Sequence, residues 1–437
     1  MSENKSIWSD EVRMPEFPPL DGDVKTDVLV IGGGIAGLLT AYLLKKRGVE
    51  TLLVEKNRLC GGTTQNTTAK VTFQHGLIYS RLLKSLGAER AGMYLQANRA
   101  AFGKYAELCK GIDCNYEVRD NFIYSLDNRK TLEEEIAALD AIGFRAGFRK
   151  RLPLPMKTAG AVCFPEQAQL NPLMLLAHIA GELNILEHTH VLEMQGRTAL
   201  CTGGRIHAQR VVVATHYPFI NKHGGYFVKL YQSRSHVLAL QGAQELGGMY
   251  LDESGVGLSF RNYGKYLLLG GCAHRTGKKS GGWDELRHLA EVYYPQAEEK
   301  YHWAAQDCMS LDGMPYIGEY SGGSKGIYVA SGFNKWGMTG AMLSAMLLSD
   351  ILTDSESEYG ELFSPSRSIL KPQLFINGAE AAAGLATPSR KRCPHLGCAL
   401  KWNEEEQSWD CSCHGSRFSR CGRLLNNPAN GDIDIKY

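Results

Sequence analysis

A cluster of glycines between an apolar strand and a helix restricts this chain more than any other feature. Thr26–Ile31 (TDVLVI) has the unbroken apolar pattern of a buried strand, and Gly32-x-Gly34-x-x-Gly37 follows at once. Ile35–Arg47 has helical periodicity and ends in Lys45, Lys46, Arg47 and then Gly48. Cations in a last turn complement the helix dipole, and glycine suits the position just beyond it. Thr51–Glu55 (TLLVE) reads as the next strand, which completes a βαβ unit. Gly32 allows the tight turn, Gly34 lets a pyrophosphate approach the backbone at the helix N-terminus, and Gly37 lets helix and strand touch. Glu55 lies 18 residues after Gly37, where it can accept hydrogen bonds from a ribose diol. Its charge disfavours a 2′-phosphate, so the motif predicts FAD or NAD rather than NADP.

Around this unit, 437 residues predict two or three domains. A net charge of +2 with 22% charged residues provides no basic field for nucleic acid. Between Asn115 and Gly271 there are many short strand-like runs, including Phe122–Ser125, Val211–Thr215, Val237–Gln241 and Tyr266–Gly270. Helical patterns occupy Ala88–Cys109 and Lys130–Ile142, the second opened by a capping box from Thr131 to Glu134. This mixture predicts an antiparallel-sheet α+β substrate domain inserted into an α/β Rossmann-type nucleotide-binding domain. The chain returns to that domain with a strand at Gly326–Ser331 and a helix at Thr339–Leu352. Expected boundaries are an N-terminal extension at 1–25 and a main unit at 26–372, with nucleotide-binding parts about 26–75, 185–220 and 305–355. The small, nearly uncharged NGAEAAAGLATP suggests a linker at 373–388, which leaves a C-terminal subdomain at 389–437.

The first 25 residues have no basic head before an apolar stretch, so no signal peptide is expected. Val28–Leu44 is uncharged for 17 residues, yet it holds Gly32, Gly33, Gly34 and Gly37 and fits a buried strand–turn–helix better than a membrane span. Scattered cysteines agree with a reducing compartment, and the expected location is the cytoplasm.

The 12 cysteines are unevenly placed, with Cys393, Cys398, Cys411, Cys413 and Cys421 all in the last 45 residues. Cys393-Pro394-His395-Leu396-Gly397-Cys398 is followed by Cys411-Ser412-Cys413-His414-Gly415-Ser416-Arg417-Phe418. Two thiolates and two imidazoles in these halves can serve tetrahedral zinc or a Rieske [2Fe–2S] centre.

Further motifs carry two family resemblances. Asp312-Gly313-Met314-Pro315-Tyr316-Ile317-Gly318 precedes the strand GIYVAS, and Gly332-Phe333-Asn334-Lys335-Trp336-Gly337-Met338-Thr339 follows it. With the glycine turn, over about Asp23–Leu352, the chain resembles the D-amino-acid oxidase family of flavoproteins, which includes sarcosine, glycine and glutamylputrescine oxidases. The resemblance implies bound FAD. It implies that Gly313 and the helix start Gly337, Met338 and Thr339 approach the flavin, and that Gly62, Thr63, Thr64 and Thr68 lie on the segment threaded along it. Ile35, Ala36, Lys56 and, by backbone contacts, Val191 complete the implied FAD set.

The phrase CHGSRF, with the extra cysteine in each half, closely resembles the Rieske family. That likeness implies Cys393 and Cys411 on one iron, His395 and His414 on the other, and a disulfide between Cys398 and Cys413. Asn427-Pro428-Ala429 resembles the loop that covers the cluster, and Cys421 has no counterpart. About 50 residues are few for an independent fold, so a small all-β Rieske-like subdomain packed on the flavin domain is expected.

Together the resemblances imply a dehydrogenase. It takes a hydride from a small amine or amino acid and passes electrons singly to its own [2Fe–2S] centre. From there they go to an external acceptor such as a ferredoxin or quinone. On the substrate side the candidates are His75, His274, Lys335 and Trp336, with Arg261 and Arg275 as cations for a carboxylate. A flavin/iron–sulfur reductase or monooxygenase component running electrons the other way, and a non-enzymatic redox sensor, are the alternatives. A Rieske oxygenase would need two histidines and a carboxylate for a further iron, and no such set stands at compact spacing.

Overall fold

The computed structural model describes residues 3–220, 223–254 and 257–434. Apolar strands of the glycine-turn unit pair in parallel: Val28–Ile31 with Thr51–Val54 on one side, and Val211–Val213 with Leu29–Ile31 on the other. The sheet runs in the order Tyr316–Glu319, Ile327–Ser331, Gly204–Val213, Val24–Ile31, Thr51–Val54 and Ile185–Leu186, with Thr198–Cys201 and Val191–Gln195 appended. Its first pair is antiparallel and the five strands from Ile327–Ser331 to Ile185–Leu186 are parallel. Gly32 N–H donates to Val54 O at 2.8 Å and Ala214 N–H to Ile31 O at 2.8 Å, so the strands end together at one edge. Ligands of open α/β sheets bind outside such an edge.

The helix Ile35–Lys46 packs under this sheet with Leu38, Leu39 and Leu44 buried, and Gly48 takes φ +77° just past its end. A second, 10-stranded sheet carries the inserted domain. It is mainly antiparallel, with parallel pairing at Glu117–Ser125 with Gly248–Asp252 and at the N-terminal edge. The C-terminal subdomain is a four-stranded antiparallel sheet of Leu400–Asn403, Ser408–Cys411, Arg417–Ser419 and Leu424–Asn426. Among the described residues no helix is long and apolar enough to cross a membrane.

Several elements differ from the sequence reading. The helix expected from Ala88 runs Ile78–Cys109, because a preceding helix joins it across a kink at Gly87, φ +82°. The helix Arg129–Ala141 is capped by Asn128, whose side chain accepts from Thr131 N–H at 3.2 Å. Thr131 therefore lies inside the first turn, and the Thr131–Glu134 capping box does not form. Asparagine is among the strongest N-caps and wins the position.

The expected extension is part of the body. Glu3–Asn4 pairs with the edge strand Glu298–Ser310, and fully buried Trp8 donates Nε1–H to Thr67 O at 2.8 Å. The expected linker is mostly the helix Pro372–Ala386, as its alanines favour and as Pro at the first turn permits. Gly384 on this helix lies against Cys413 and Cys398, where a β-carbon would overlap the sulfur. The segment is a strut under the cluster-binding loops.

Candidate active site and cluster site

One cavity of about 640 Å³ runs from the glycine turn across to the C-terminal subdomain. At its first end Gly32, Gly34, Ile35, Ala36, Glu55 and Lys56 form the wall, with Val191 opposite. Gly32 holds φ +111°, and a β-carbon there would lie 2.6 Å from Ala214 O. Glu55 accepts from Gly33 N–H at 2.8 Å and Asn57 N–H at 2.9 Å; burial pushes its carboxyl up while these two donors oppose the shift. Gly37 does not line the cavity but brings the helix onto the turn, so that a β-carbon would collide with Gly32 O. The helix Ile35–Lys46 starts after Gly34, which has no side chain to cap it; Thr64 Oγ1 accepts from Ile35 N–H at 3.0 Å, and the positive end of the helix dipole still faces the cavity, where it suits an anion.

The middle of the cavity is bounded by Gly62, Thr63, Thr64 and Thr68, and by Lys335, Trp336, Gly337 and Met338. Gly337 opens the helix Gly337–Leu352, which lacks a side-chain cap. A β-carbon on Gly62 or on Gly337 would meet nothing within 4 Å, so nothing in the protein itself requires glycine there. Two helix N-termini facing one long cavity, with glycines where a bound group would press, fit FAD.

Several expected residues serve the scaffold instead. Thr339 donates its hydroxyl to Thr72 O at 2.6 Å, and Gly313 sits at φ +79° in a turn beside Arg81. His75 is buried with Nδ1 2.7 Å from Tyr94 Oη and Nε2 2.9 Å from Thr72 O, and its ring stacks on Trp336 at 4.9 Å. Burial holds His75 down at about 3, so it supports Trp336 as a neutral ring and is not a base facing the cavity. His274 turns away from its cavity-lining neighbour Ala273 and bonds Cys272 O at 3.1 Å. Arg261 is fully buried and fastens the threaded segment through Thr68 O at 2.7 Å and Ala69 O at 2.9 Å. Arg275 grips Ser412 O at 2.8 Å and Cys413 O at 2.7 Å. Neither arginine lines the cavity, although Arg261 Nε and Nη2 have no hydrogen-bond partner in their buried position.

Sequence reasoning missed Asp307 and His236, and it placed Lys70 only at the end of the threaded segment Gly61–Lys70; all three line the same cavity. No local motif marks Asp307 or His236; sheet register brings them there. Burial, with Arg261 nearby, lowers Lys70 to about 7, and burial raises Asp307 to about 6 against the pull of Lys335 and Arg234. Lys70 is thus charged below about pH 7 and neutral above it. Binding of a carboxylate probe such as benzoate is expected to weaken as pH rises through 7, and Lys70→Met should show weak binding with no such step. Flavin difference spectra across pH 6–8.5 would measure this, and a pH step retained in the variant would rule Lys70 out.

In the C-terminal subdomain Cys393 and Cys411 are buried 2% and 0% exposed and hydrogen-bond to each other, while the His395 and His414 rings meet edge-on with centroids 4.8 Å apart. Burial keeps His395 at about 4 and His414 at about 3, the neutral form that binds iron. A hydrogen bond from Cys393, helped by the backbone N–H groups of His414, Cys413 and Gly415, lowers Cys411 to about 7. Cys398 and Cys413 form a disulfide. The sulfurs of Cys398, Cys411 and Cys413 gather within 4.8 Å, but two are bonded to each other and so are not thiolate ligands. Two facing thiols and two facing neutral imidazoles fit a Rieske [2Fe–2S] centre.

This subdomain is docked. Gln232 donates to His414 O at 3.1 Å and Asn427 O at 2.6 Å, and Gln306 donates to Gly415 O at 2.8 Å and to Gln232 Oε1 at 2.6 Å. Asn427 in turn donates to Thr215 O at 2.8 Å and Tyr217 O at 2.9 Å. The loop bearing Asn427 and Ala429 thereby forms a wall of the flavin cavity.

These features agree with two family models, FAD dependent oxidoreductase over residues 27–351 and Rieske [2Fe-2S] domain over residues 375–435. The chain belongs to the FAD dependent oxidoreductase family and carries a C-terminal Rieske domain. This FAD- and [2Fe–2S]-dependent oxidoreductase is 33% identical to YhfW of Bacillus subtilis (strain 168), whose name describes a Rieske 2Fe-2S iron-sulfur protein; the match covers 97% of this chain and 96% of that one. In fold it is similar to glycine oxidase from Geobacillus kaustophilus, with TM-score 0.67, 22% identity, and coverage of 79% of this chain and 99% of that chain. L-proline dehydrogenase from P. horikoshii is similar with TM-score 0.66, 17% identity, and coverage of 80% and 98%.

Gln232→Leu in this oxidoreductase removes the donors to His414 O and Asn427 O and takes from Gln306 Nε2 one of its two acceptors, leaving it Gly415 O. Each buried carbonyl left unpaired costs about 1–3 kcal/mol. Faster amide exchange across 389–434 is the expected result, with shifted cluster EPR g-values and FAD content unchanged. Wild-type exchange and g-values would dismiss the docking role.

Proposed function

We propose that the protein is an FAD-dependent dehydrogenase. It oxidises a C–N bond of a small amine or amino acid and delivers the electrons one at a time, through its own Rieske centre, to an external acceptor such as a ferredoxin or quinone. The observation that carries this reading is the shared cavity: the glycine turn and the cluster subdomain loop with Asn427 and Ala429 line one space. FAD supplies the two-electron acceptor and the cluster the one-electron outlet.

The chain's own residues suit such a substrate. Lys70 lines the cavity and supplies a cation for a carboxylate, whereas Arg261 and Arg275 do not line it. Asp307, raised to about 6, can take the proton of a substrate ammonium near neutral pH. Trp336, backed by His75, fixes one wall. Thr63 donates to Gln306 O at 3.2 Å, which links the segment threaded past the flavin to the side chain that holds Gly415.

Anaerobic mixing with a panel of amines and amino acids tests the proposal. Bleaching of the flavin followed by the reduced-cluster EPR signal is expected with at least one. No bleaching by any member would sink the substrate class, and bleaching with an unreduced cluster would sink the relay.

A further inference from the structure

Oxidation of CH–NH to C=N releases two electrons and two protons. Electrons can cross a protein wall to the cluster, but protons travel only along hydrogen-bonding groups. The cavity is closed toward the cluster by the loop with Asn427 and Ala429 and is edged elsewhere by exposed residues such as Lys56, Gly61 and Asn430, so protons leave it by a path other than that of the electrons.

Two histidines in the wall have buried ring nitrogens without a partner: His216 leaves Nε2 unpaired, and His236 leaves both. His236 lies in the strand Leu230–Gln241, is 1% exposed, and neither ring nitrogen has a hydrogen-bond partner. An unpaired buried imidazole is costly and asks for a reason. Its Nε2 stands 3.8 Å from Glu406 Oε1, beyond a direct hydrogen bond but within reach after a small closure or through one water. Stacking on His274 at 5.7 Å and an edge contact with Trp283 at 4.9 Å set the plane of the ring.

Glu406 belongs to the cluster subdomain, in the turn between Leu400–Asn403 and Ser408–Cys411. Arg234 Nε grips it at 2.7 Å and Arg417 Nη2 at 2.9 Å. Burial opposes its charge, yet Arg234, the His236 contact and Arg417 hold its carboxyl far below the usual range. Glu406 lines a second cavity of about 390 Å³, bordered by the exposed residues Asn4 and Ser9. His236 therefore stands between the flavin cavity and a space that opens to solvent.

We infer that His236 is the proton exit of the flavin cavity: its imidazole takes up a proton on the cavity side and releases it to the second cavity, with the Glu406 carboxylate stabilising the charged ring. The inference rests on the dehydrogenase reading above. The charged and titratable groups that meet the ring are Glu406, Arg234 beside it, and His274 stacked on it. His274 is no substitute, since its Nδ1 is bonded to Cys272 O and it does not line the cavity. Because the subdomain supplies Glu406, docking completes the proton route and the electron route together.

The test uses the holoenzyme, reduced anaerobically with stoichiometric dithionite and desalted, then mixed with ferricyanide in weakly buffered solution containing a pH-indicator dye. Wild type should release protons in step with flavin reoxidation. In His236→Gln the cluster should reoxidise at the wild-type rate, while flavin reoxidation and proton release slow by roughly 10²-fold. Added imidazole should restore them. Glu406→Gln should slow the same step, its single amide oxygen keeping the arginine hydrogen bonds of one carboxylate oxygen only. Proton release at the wild-type rate in His236→Gln would overturn the inference. Flavin reoxidation equally fast in a cluster-free Cys411→Ser control would instead refute the relay reading, and this inference with it.

Discussion

Cys411→Ser abolishes the Rieske EPR signal and leaves a protein that accepts one electron fewer in an anaerobic dithionite titration. The reason is chemical and structural together. A serine hydroxyl holds its proton far more tightly than a thiol and is a poor ligand to an iron–sulfide centre. Cys411 is also fully buried, and the subdomain's own core consists of Cys393, Cys398, Leu400, Cys411, Cys413, Phe418 and Ala429. A core built mostly of sulfur has little apolar area to hold it, so the metal contributes much of its folding energy. The variant should therefore also be cut rapidly by protease across 389–434, while FAD binding at the distant glycine turn persists. Cys421→Ser is the control, because Cys421 is exposed and outside the ligand set. A Rieske signal surviving in Cys411→Ser would refute the ligand assignment.

Gly37→Ala has its effect at the opposite end of the cavity. The new β-carbon collides with Gly32 O, in the turn tied to Val54 O, and presses on Val30 in the parallel sheet. Backbone cannot yield as a side chain does, so the helix Ile35–Lys46 must lift from the turn. Overpacking of this kind costs on the order of 1–3 kcal/mol, and here the displaced element is the helix N-terminus at the cavity. The expected result is a purified protein with most of its FAD lost, a Tm lowered by several degrees, and a Rieske signal of normal shape. Gly62→Ala offers the contrast: no protein atom lies within 4 Å of its β-carbon, so the apoprotein should keep its stability and any loss should appear only in FAD affinity. Full flavin content in Gly37→Ala would show that close helix–strand contact is not what the turn requires.

The N-terminal residues show how a segment escapes a sequence reading. Met1–Lys25 is polar and proline-containing, which suggests an extension, yet Trp8 is completely buried and tied to Thr67 O. A single buried aromatic has no periodicity to announce it. The residues at 373–388 fail for a related reason: an alanine-rich stretch is as suitable for a helix as for a linker until something packs against Gly384.

The motifs that could be read directly are those in which neighbours along the chain make the geometry. The turn Gly32–Gly37 and the C-x-H and C-x-x-H halves are short enough that backbone sterics and ligand spacing determine their shape wherever they occur. His75, His274, Arg261 and Arg275 were candidates by chemistry alone, and the fold engaged each of them in support or docking. Lys70, Asp307 and His236 gain their roles from sheet register, since a one-residue shift would turn each to the opposite face. The 3.8 Å approach of Glu406 to His236 joins residues 170 positions apart in sequence. Local sterics therefore made the two cofactor sites legible in the amino-acid sequence. Only long-range strand pairing and docking decided which side chains face the space between them.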